Sequence, residues 1–366
     1  MRAQQSRVTE GPAQFDRYRR QTILREFGVE SQQKLAASRA VIVGVGALGC
    51  ASADLLARAG VGTLTLVDRD VVELTNLQRQ CLFDESDAIE RRPKAEAAAS
   101  RLSRVNSSIR IEPHVLDVTS RTLPRLLREA KPDVLIDGTD NAGTRYLLND
   151  AAVRDTIPFV YGGVIGTRGM QMTILPDASP CLRCVFEEPP APGTMPTCDT
   201  TGVLGAAVAI VAGCQAADAI KVLIGRRDLI KPTLLEFDLW SSERRRIDLS
   251  SMCNATARRN CPCCGKHSFE FLDGKHDDDA IKLCGQLAVQ IGSTGRECDL
   301  DRAAERLREF TPKRVSPSLL RVSLAGERAE SSGSLELSLF ADGRAIVAGT
   351  ADPARARGVY AKYVGA

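Results

Sequence analysis

The chain has 366 residues, long enough for two or three domains at roughly 150 residues each. With 43% hydrophobic and 26% charged residues, its composition is that of a globular protein with a real core, not of a disordered chain. Lys and Arg total 49 against 46 Asp and Glu, a formal charge of +3, so charge gives no sign of a nucleic-acid binder.

Residues 1–38 read as a polar helical arm. Its first stretch, MRAQQSRVTEGPAQFDRYRRQ, carries no apolar core of the secretory kind, so reduced thiols and a cytoplasmic location are expected. Val41 to Val43 is a short apolar strand that enters Gly44-Val45-Gly46-Ala47-Leu48-Gly49. The next segment spaces Leu48, Leu55 and Leu56 for a helix, which Gly60 stops. Thr63 to Val67 is a strand ending at Asp68. A helix follows Pro93, then a strand near Arg110 to Val115, a helix near Leu123 to Ala130, and a strand over Val134 to Ile136. That strand leads into Asp137-Gly138-Thr139-Asp140-Asn141. The alternation predicts an α/β fold, a Rossmann-like doubly wound sheet with a parallel core and helices on both faces.

From 157 to 187 the pattern changes to strands (PFVYGGV, GMQMTILP), an antiparallel extension of the sheet. Residues 187–200 are a Pro-rich crossover. Gly202 to Ala217 is the least polar stretch. It is short for a membrane span and runs into Asp218 and Lys221, so it reads as a buried helix and no membrane is expected as a partner. Thr233 to Asp238 reads as another strand, and Arg244-Arg245-Arg246 most simply as a solvated turn. Residues 266–366 look separable, a small α+β domain. It has helices over Asp277 to Ile291 and Leu300 to Phe310, strands over Leu319 to Leu324 and Leu335 to Phe340, a hairpin turn at Asp342-Gly343, a strand at Ala345 to Val347 and a last helix over Pro353 to Tyr363. The expected division is therefore 1–38, 39–265 and 266–366.

Gly44, Gly46 and Gly49 form G-x-G-x-x-G between a strand and a helix. The glycines let backbone approach a phosphate, and the helix N-terminus favours its charge. Asp68 ends the next strand at the distance expected of a carboxylate holding ribose hydroxyls. These two features do not choose NAD over ATP. Three others bear on that choice. Arg79, in Asn76-Leu77-Gln78-Arg79-Gln80, has no evident use in hydride transfer, whereas attack on the α-phosphate of ATP builds charge that a guanidinium stabilises; the alternative is a solvated surface arginine. Lys94 stands in the first turn of a helix, where the dipole disfavours a cation and a bound polyphosphate would resolve the conflict; the alternative is a side chain pointing into water. Asp140 lies just past a strand end, placed to hold Mg²⁺ on a triphosphate; the alternative is a helix N-cap at Asp140 or Asn141.

In this order the motifs resemble those of the MoeB/ThiF adenylyltransferases, relatives of the ubiquitin-activating enzymes. The matching stretches are Arg17-Tyr18-Arg19-Arg20-Gln21, VIVGVGALG (41–49), LTLVDRDVVELTNLQRQ (64–80), Pro93-Lys94, DGTDN (137–141) and two cysteine pairs, spanning about residues 14–265. The resemblance implies ATP contacts from Gly44, Gly46, Ala47, Gly49, Asp68, Thr75, Asn76, Leu77, Gln78, Arg79, Lys94, Asp140 and Asn141. It implies a homodimer in which Arg20 reaches across to the ATP of the other subunit. It also implies a reaction: the C-terminal Gly carboxylate of a ubiquitin-like sulfur-carrier protein ending in Gly-Gly, of molybdopterin or thiamine type, becomes an acyl-adenylate with release of pyrophosphate, and a sulfur donor protein follows. The alternatives are adenylation of another carboxylate (peptide, amino acid or tRNA-linked), a binding module without turnover, and an NAD-dependent oxidoreductase. Two departures stand out. Ala47 replaces a glycine found in many members, and Arg91-Arg92 precede Pro93 where the family often has Gly and a neutral residue.

The chain has 12 cysteines. Cys181-Leu182-Arg183-Cys184 and Cys261-Pro262-Cys263-Cys264 give two C-x-x-C pairs, a spacing that suits a structural tetrahedral Zn²⁺. Cys263 makes the second pair ambiguous, and the family register favours Cys261 and Cys264. Cys198, in the crossover just before the buried helix, has the setting of an activated thiol; in the family a cysteine of this loop takes the acyl group or mediates sulfur transfer in some members and is dispensable in others. Cys50, Cys81 and Cys214 read as buried helix residues. His114, His267 and His276 fit no triad or metal set.

Overall fold

The computed structural model describes residues 13–176, 178–190, 201–275, 280–282, 287–292, 297–330 and 332–365. Two sheets organise them. The first contains β1 (Arg39–Val43), β2 (Thr63–Asp68), β3 (Arg110–Val115), β4 (Val134–Asp137), β5 (Phe159–Ile165), β6 (Arg168–Ile174), β7 (Thr233–Asp238) and β8 (Glu243–Asp248). Their order is β3-β2-β1-β4-β5-β6-β7-β8. Pairing is parallel from β3 to β5 and antiparallel from β5 to β8. The sequence order of the strands reverses direction between β1 and β4, which opens a crevice beyond their carboxyl ends.

Helices cover both faces because successive strand residues point to opposite sides. Ile42, Leu64, Leu66 and Ile136 pack with α3 (Ala47–Ala59), α5 (Lys94–Val105) and α9 (Gly205–Leu223). Val41, Val43, Val67 and Leu135 pack with α6 (Thr122–Ala130) and α7 (Ala142–Arg154). By length and composition α9 is the one helix among the described residues that could cross a membrane. Here it packs on α3, β5 and β6. Its buried Gln215 donates to the carbonyls of Asp137 (2.7 Å) and Val160 (3.3 Å), so the polar side chain ties the helix to the strand ends. Before β1 come two short helices, α1 (Arg19–Thr22) and α2 (Gly28–Ala37), and three more short ones, α4 (Glu85–Glu90), α8 (Leu182–Val185) and α10 (Ala255–Arg258), lie in the connections.

The second sheet runs β11-β12-β13-β14-β10-β9, all antiparallel. Its strands are β9 (Ala280–Lys282), β10 (Ala288–Ile291), β11 (Lys313–Ser316), β12 (Leu319–Arg328), β13 (Ser334–Phe340) and β14 (Ala345–Ala348). One face carries α11 (Leu300–Arg306) and α12 (Pro353–Tyr363) over Val322, Leu324, Leu335, Leu337 and Val347. The other meets the first sheet's loops, where Val71 packs with Ala288, Leu319, Phe340 and Ile346.

Three local expectations fail. The described residues within Asp277 to Ile291 form strands β9 and β10 where a helix was expected, and pairing of Val289 with Val347 decides the outcome for β10. Arg244 to Arg246 lie on β8, an edge strand with all six residues exposed, so their charge reflects solvent on both faces and not a turn. Cys81 is exposed in a turn, outside any helix, and Cys214 is only half-buried in α9.

Candidate active site

The crevice is shaped by glycines in backbone contact. Gly44 follows β1 with φ of +87°, a conformation that favours glycine, and its N–H donates to the Val67 carbonyl at 2.8 Å. A Cβ at Gly138 would lie 2.1 Å from the Gly44 oxygen, and one at Gly49 would lie 1.8 Å from it. The loop after β1, the first turn of α3 and the loop after β4 can touch only because those side chains are missing. Gly46 differs. The nearest atoms to its absent Cβ are the Gly138 oxygen at 3.8 Å and Gln80 Nε2 at 3.9 Å, so it borders open space. No side chain caps α3 at Gly46, and Ala47 opens the helix; amide groups of that first turn are available to an anion.

Beside this loop stands a set of charges. Asp68 Oδ2 accepts the Val45 N–H at 2.6 Å and Oδ1 accepts the Asp70 N–H at 2.7 Å, so the carboxylate pins the glycine-rich loop to the end of β2. Burial pushes its pKa up, against the Lys94 charge that lowers it. Lys94 begins α5 after Pro93 and is buried, only 8% exposed; its Nζ lies 3.3 Å from Asp70 Oδ2. Burial works to lower the Lys94 pKa, but the carboxylates of Asp70, Asp68 and Asp140 outweigh it and hold the ammonium charged. Asp70, whose side chain is only partly buried, is drawn below the usual carboxylate range by the charges of Lys94 and Arg69. Asn141 caps α7 by accepting the Thr144 N–H at 3.1 Å, so the cap falls to Asn141, and Asp140 is exposed next to it.

The segment after Asp70 folds back as a turn. Glu73 and Asn76 form a reciprocal capping box, with Asn76 Oδ1 accepting the Glu73 N–H at 3.1 Å. Thr75 is exposed, and its carbonyl accepts from Arg79 Nη1 at 3.0 Å. Leu77, Gln78, Arg79 and Cys81 line a cleft of about 260 Å³ against Ala51 of α3 and Gly205, Val208 and Ala209 of α9. Gln80 is buried, and its Oε1 has no hydrogen-bond partner among the described residues. Arg20 is exposed on α1, whose main contacts are the preceding turn and α2. Cys198 lies outside the described residues.

The four cysteines converge from the end of β6 and the segment beyond β8. Their sulfurs all lie within 4.8 Å of one another, with Cys181–Cys184 at 3.9 Å, Cys181–Cys261 at 3.6 Å and Cys184–Cys264 at 3.3 Å. A tetrahedron of thiolates on Zn²⁺ places sulfurs about 3.8 Å apart, so the cluster fits the ion. Cys263 is turned away and accepts from Asn149 Nδ2 at 3.3 Å, while Asn149 Oδ1 accepts the Leu182 N–H at 2.8 Å. One asparagine thus orients both halves of the cluster.

The ThiF family profile covers residues 18–263. The Bacillus subtilis (strain 168) sulfur carrier protein ThiS adenylyltransferase is 41% identical over 351 residues, 95% of this chain and 99% of that protein. A Thermus thermophilus sulfur carrier protein adenylyltransferase is 38% identical over 259 residues, 69% of this chain and 91% of the relative. The chain belongs to the ThiF family. It is an adenylyltransferase, an activity that consumes ATP. Its fold matches E. coli MccB crystallised with MccA-N7isoASN, with a TM-score of 0.57 at 21% identity over 70% of this chain and 76% of that one.

Three residues at this ThiF-family site escaped sequence reading. Asp70 partners Lys94, Gly138 packs on Gly44, and Gln80 borders Gly46. Asp70 stands two residues past Asp68, but its pairing with Lys94 depends on the contact of 70–72 with 92–94. Gly138 and Gln80 depend on contacts between loops remote in sequence.

Proposed function

We propose that this enzyme adenylates the C-terminal Gly carboxylate of a ubiquitin-like sulfur-carrier protein. The observation that carries the reading is the buried, charged Lys94, held by Asp70 and Asp68, the latter also accepting the Val45 N–H of the glycine-rich loop that leads into the uncapped start of α3. The carrier class follows from relatives whose substrate is a sulfur carrier protein. A carboxylate oxygen attacks the α-phosphorus, the bond to the bridging oxygen of the β-phosphate breaks, and pyrophosphate leaves. With a pKa of about 3.5 the attacking carboxylate is already ionised at neutral pH, so no general base is needed. Catalysis then rests on positioning and charge neutralisation.

In this scheme amides of the 44–49 loop hold phosphate oxygens and Asp68 holds the ribose; its oxygens keep free lone pairs beyond the two N–H groups they accept. Residues 75–79 wall the nucleotide, with Arg79 on the α-phosphoryl group. Lys94, and Arg20 from the other subunit of a homodimer, offset charge on pyrophosphate. Asp140, exposed and spared from capping, suits Mg²⁺, which supplies positive charge to phosphate oxygens when bound. Exposed Leu55 on α3, and Leu204 and Ile210 at and on the adjacent α9, offer a surface for the dimer. Cys198 would accept the acyl group from the adenylate as a thioester, with release of AMP, before sulfur transfer from a donor protein. Residues 39–265 form the adenylylating unit, with 1–38 as an arm and 266–366 as an α+β domain.

The test is ATP–pyrophosphate exchange with each Gly-Gly carrier of the same genome, using Arg79→Ala as control. Exchange driven by one carrier and lost in the variant is the expected result. Exchange driven only by a free amino acid would remove the protein-substrate assignment.

A further inference from the structure

The second sheet grips both loops that carry the nucleotide-site charges. Those loops are joined to each other first. Val71 bridges Pro93, the Val72 N–H donates to the Arg92 carbonyl at 2.8 Å, and the Lys94 N–H donates to the Asp70 carbonyl at 2.9 Å. Lys94 and Asp70 are therefore placed by one small ribbon. Each side of that ribbon is then tied to the second sheet. Arg344, between β13 and β14, is fully buried with its guanidinium over the Phe340 ring at 4.4 Å. Its Nε pairs with Asp342 at 2.6 Å, and its Nη1 donates to the Arg69 carbonyl at 3.2 Å, between Asp68 and Asp70. On the other side Arg91 Nη1 meets Glu336 of β13 at 3.2 Å, and Arg321 of β12 donates to the Glu90 carbonyl at 3.4 Å. A third tie runs through Asp117, which accepts from Gln290 of β10 at 3.0 Å and pairs with Arg69 at 3.2 Å.

Packing alone does not require these groups. Burying a guanidinium costs free energy that an apolar side chain would not. Arg344 Nη2 is moreover buried with no hydrogen-bond partner among the described residues, and the Arg344 charge helps hold Asp70 ionised. Arg91 has φ of +49°, a left-handed conformation in which a side chain is strained. Its N–H caps the preceding helix, and its guanidinium reaches Glu336 of the second sheet and, at 3.8 Å, Glu73 of the same ribbon.

We propose that Arg344 and Glu336 are positioning residues for ATP: from the C-terminal sheet they set the ribbon of residues 69–73 and 91–94, and with it the place of Lys94 in the nucleotide crevice. The inference rests on the ATP site assigned above and deepens it. Without Arg344 the Asp70 carboxylate loses a counter-charge and competes harder for Lys94, so the ammonium is less available to a polyphosphate.

The experiment measures calorimetric binding of a non-hydrolysable ATP analogue to the 366-residue chain, together with KM values for ATP and carrier and the melting temperature. Arg344→Met is expected to weaken analogue binding about tenfold, the scale of one charge-assisted hydrogen bond, and Arg344→Lys to recover part of it. Glu336→Gln is expected to weaken it about threefold, as suits a half-exposed pair. The carrier KM stays unchanged in both, and Lys362→Gln, whose pair with Glu327 is exposed elsewhere on the sheet, leaves every value as in the wild type. Unchanged analogue affinity in a folded Arg344→Met or Glu336→Gln protein overturns the proposal, as does parallel loss of ATP and carrier affinity. Should Arg344→Met fail to fold, Glu336→Gln decides. A wild-type protein that does not bind the analogue overturns the ATP site itself, an outcome distinct from equal binding by wild type and variants.

Discussion

Lys94 occupies a poor place for a lysine: buried, and in the first turn of a helix. Asp70 is the local compensation, and a triphosphate would be the functional one. Lys94→Ala and Arg79→Ala are each expected to slow pyrophosphate exchange by about 10²–10³-fold, the usual effect of removing one transition-state contact, with Lys94→Ala also leaving Asp70 without its partner. The pH profile follows from the same charges. Lys94 is held charged well above neutrality and Asp70 ionised well below it, so neither titrates near pH 7. Asp68 alone of the three is raised, by burial. Protonation as pH falls removes its charge from the Val45 amide and the ribose, so exchange should lose activity on the acid side only. Asp68→Asn should run at a lower rate with that acid limb gone; an unchanged limb in the variant would assign it to another group. Sequence spacing marked Lys94 as a residue in conflict with its helix. It could not show Asp70 as the partner, because that contact depends on the pairing of 70–72 with 92–94, a register set between distant segments.

Elements were legible where local pattern and tertiary role agree. The run Val41–Val43, the glycines and the helix to Ala59 satisfy strand, turn and helix preferences at once, and Gly60 ends the helix in a left-handed cap. The pattern was misleading where pairing overrides it. β10 reads as the end of a helix and is made a strand by pairing with β14, and the arginines of β8 carry the signature of solvent rather than of strand. The cysteine cluster belongs to this scale, since it joins the end of β6 to the chain beyond β8. Cys261→Ser, or chelation of the wild type, is expected to remove one zinc per chain and lower the melting temperature by several degrees, at about 2–4 °C per kcal/mol for a domain of this size. Metal analysis and thermal melting check it; a melting point insensitive to both treatments would make the cluster dispensable. Gly138→Ala is a companion case. Its Cβ would lie 2.1 Å from backbone oxygen, so one loop must retreat, with an expected loss of about 1–3 kcal/mol and weaker nucleotide binding.

In the proposed homodimer the site is shared between subunits, with Lys94 supplied in cis and Arg20 in trans. Arg20 stands exposed on α1, with no side-chain hydrogen bond or ion pair among the described residues. Mixing two inactive proteins separates the arrangements. In a heterodimer of Arg20→Ala and Lys94→Ala chains, the site of the Arg20→Ala chain has an intact Lys94 of its own and an intact Arg20 from its neighbour. The other site has neither. Random re-association makes half of the dimers mixed, each with one complete site, so about a quarter of wild-type exchange should return. If Arg20 served its own chain, the mixed dimer would hold two incomplete sites and nothing would return. Each variant alone must stay inactive and dimeric by light scattering. Recovery that rises with time after mixing, as subunits exchange, would locate Arg20 at the neighbouring nucleotide.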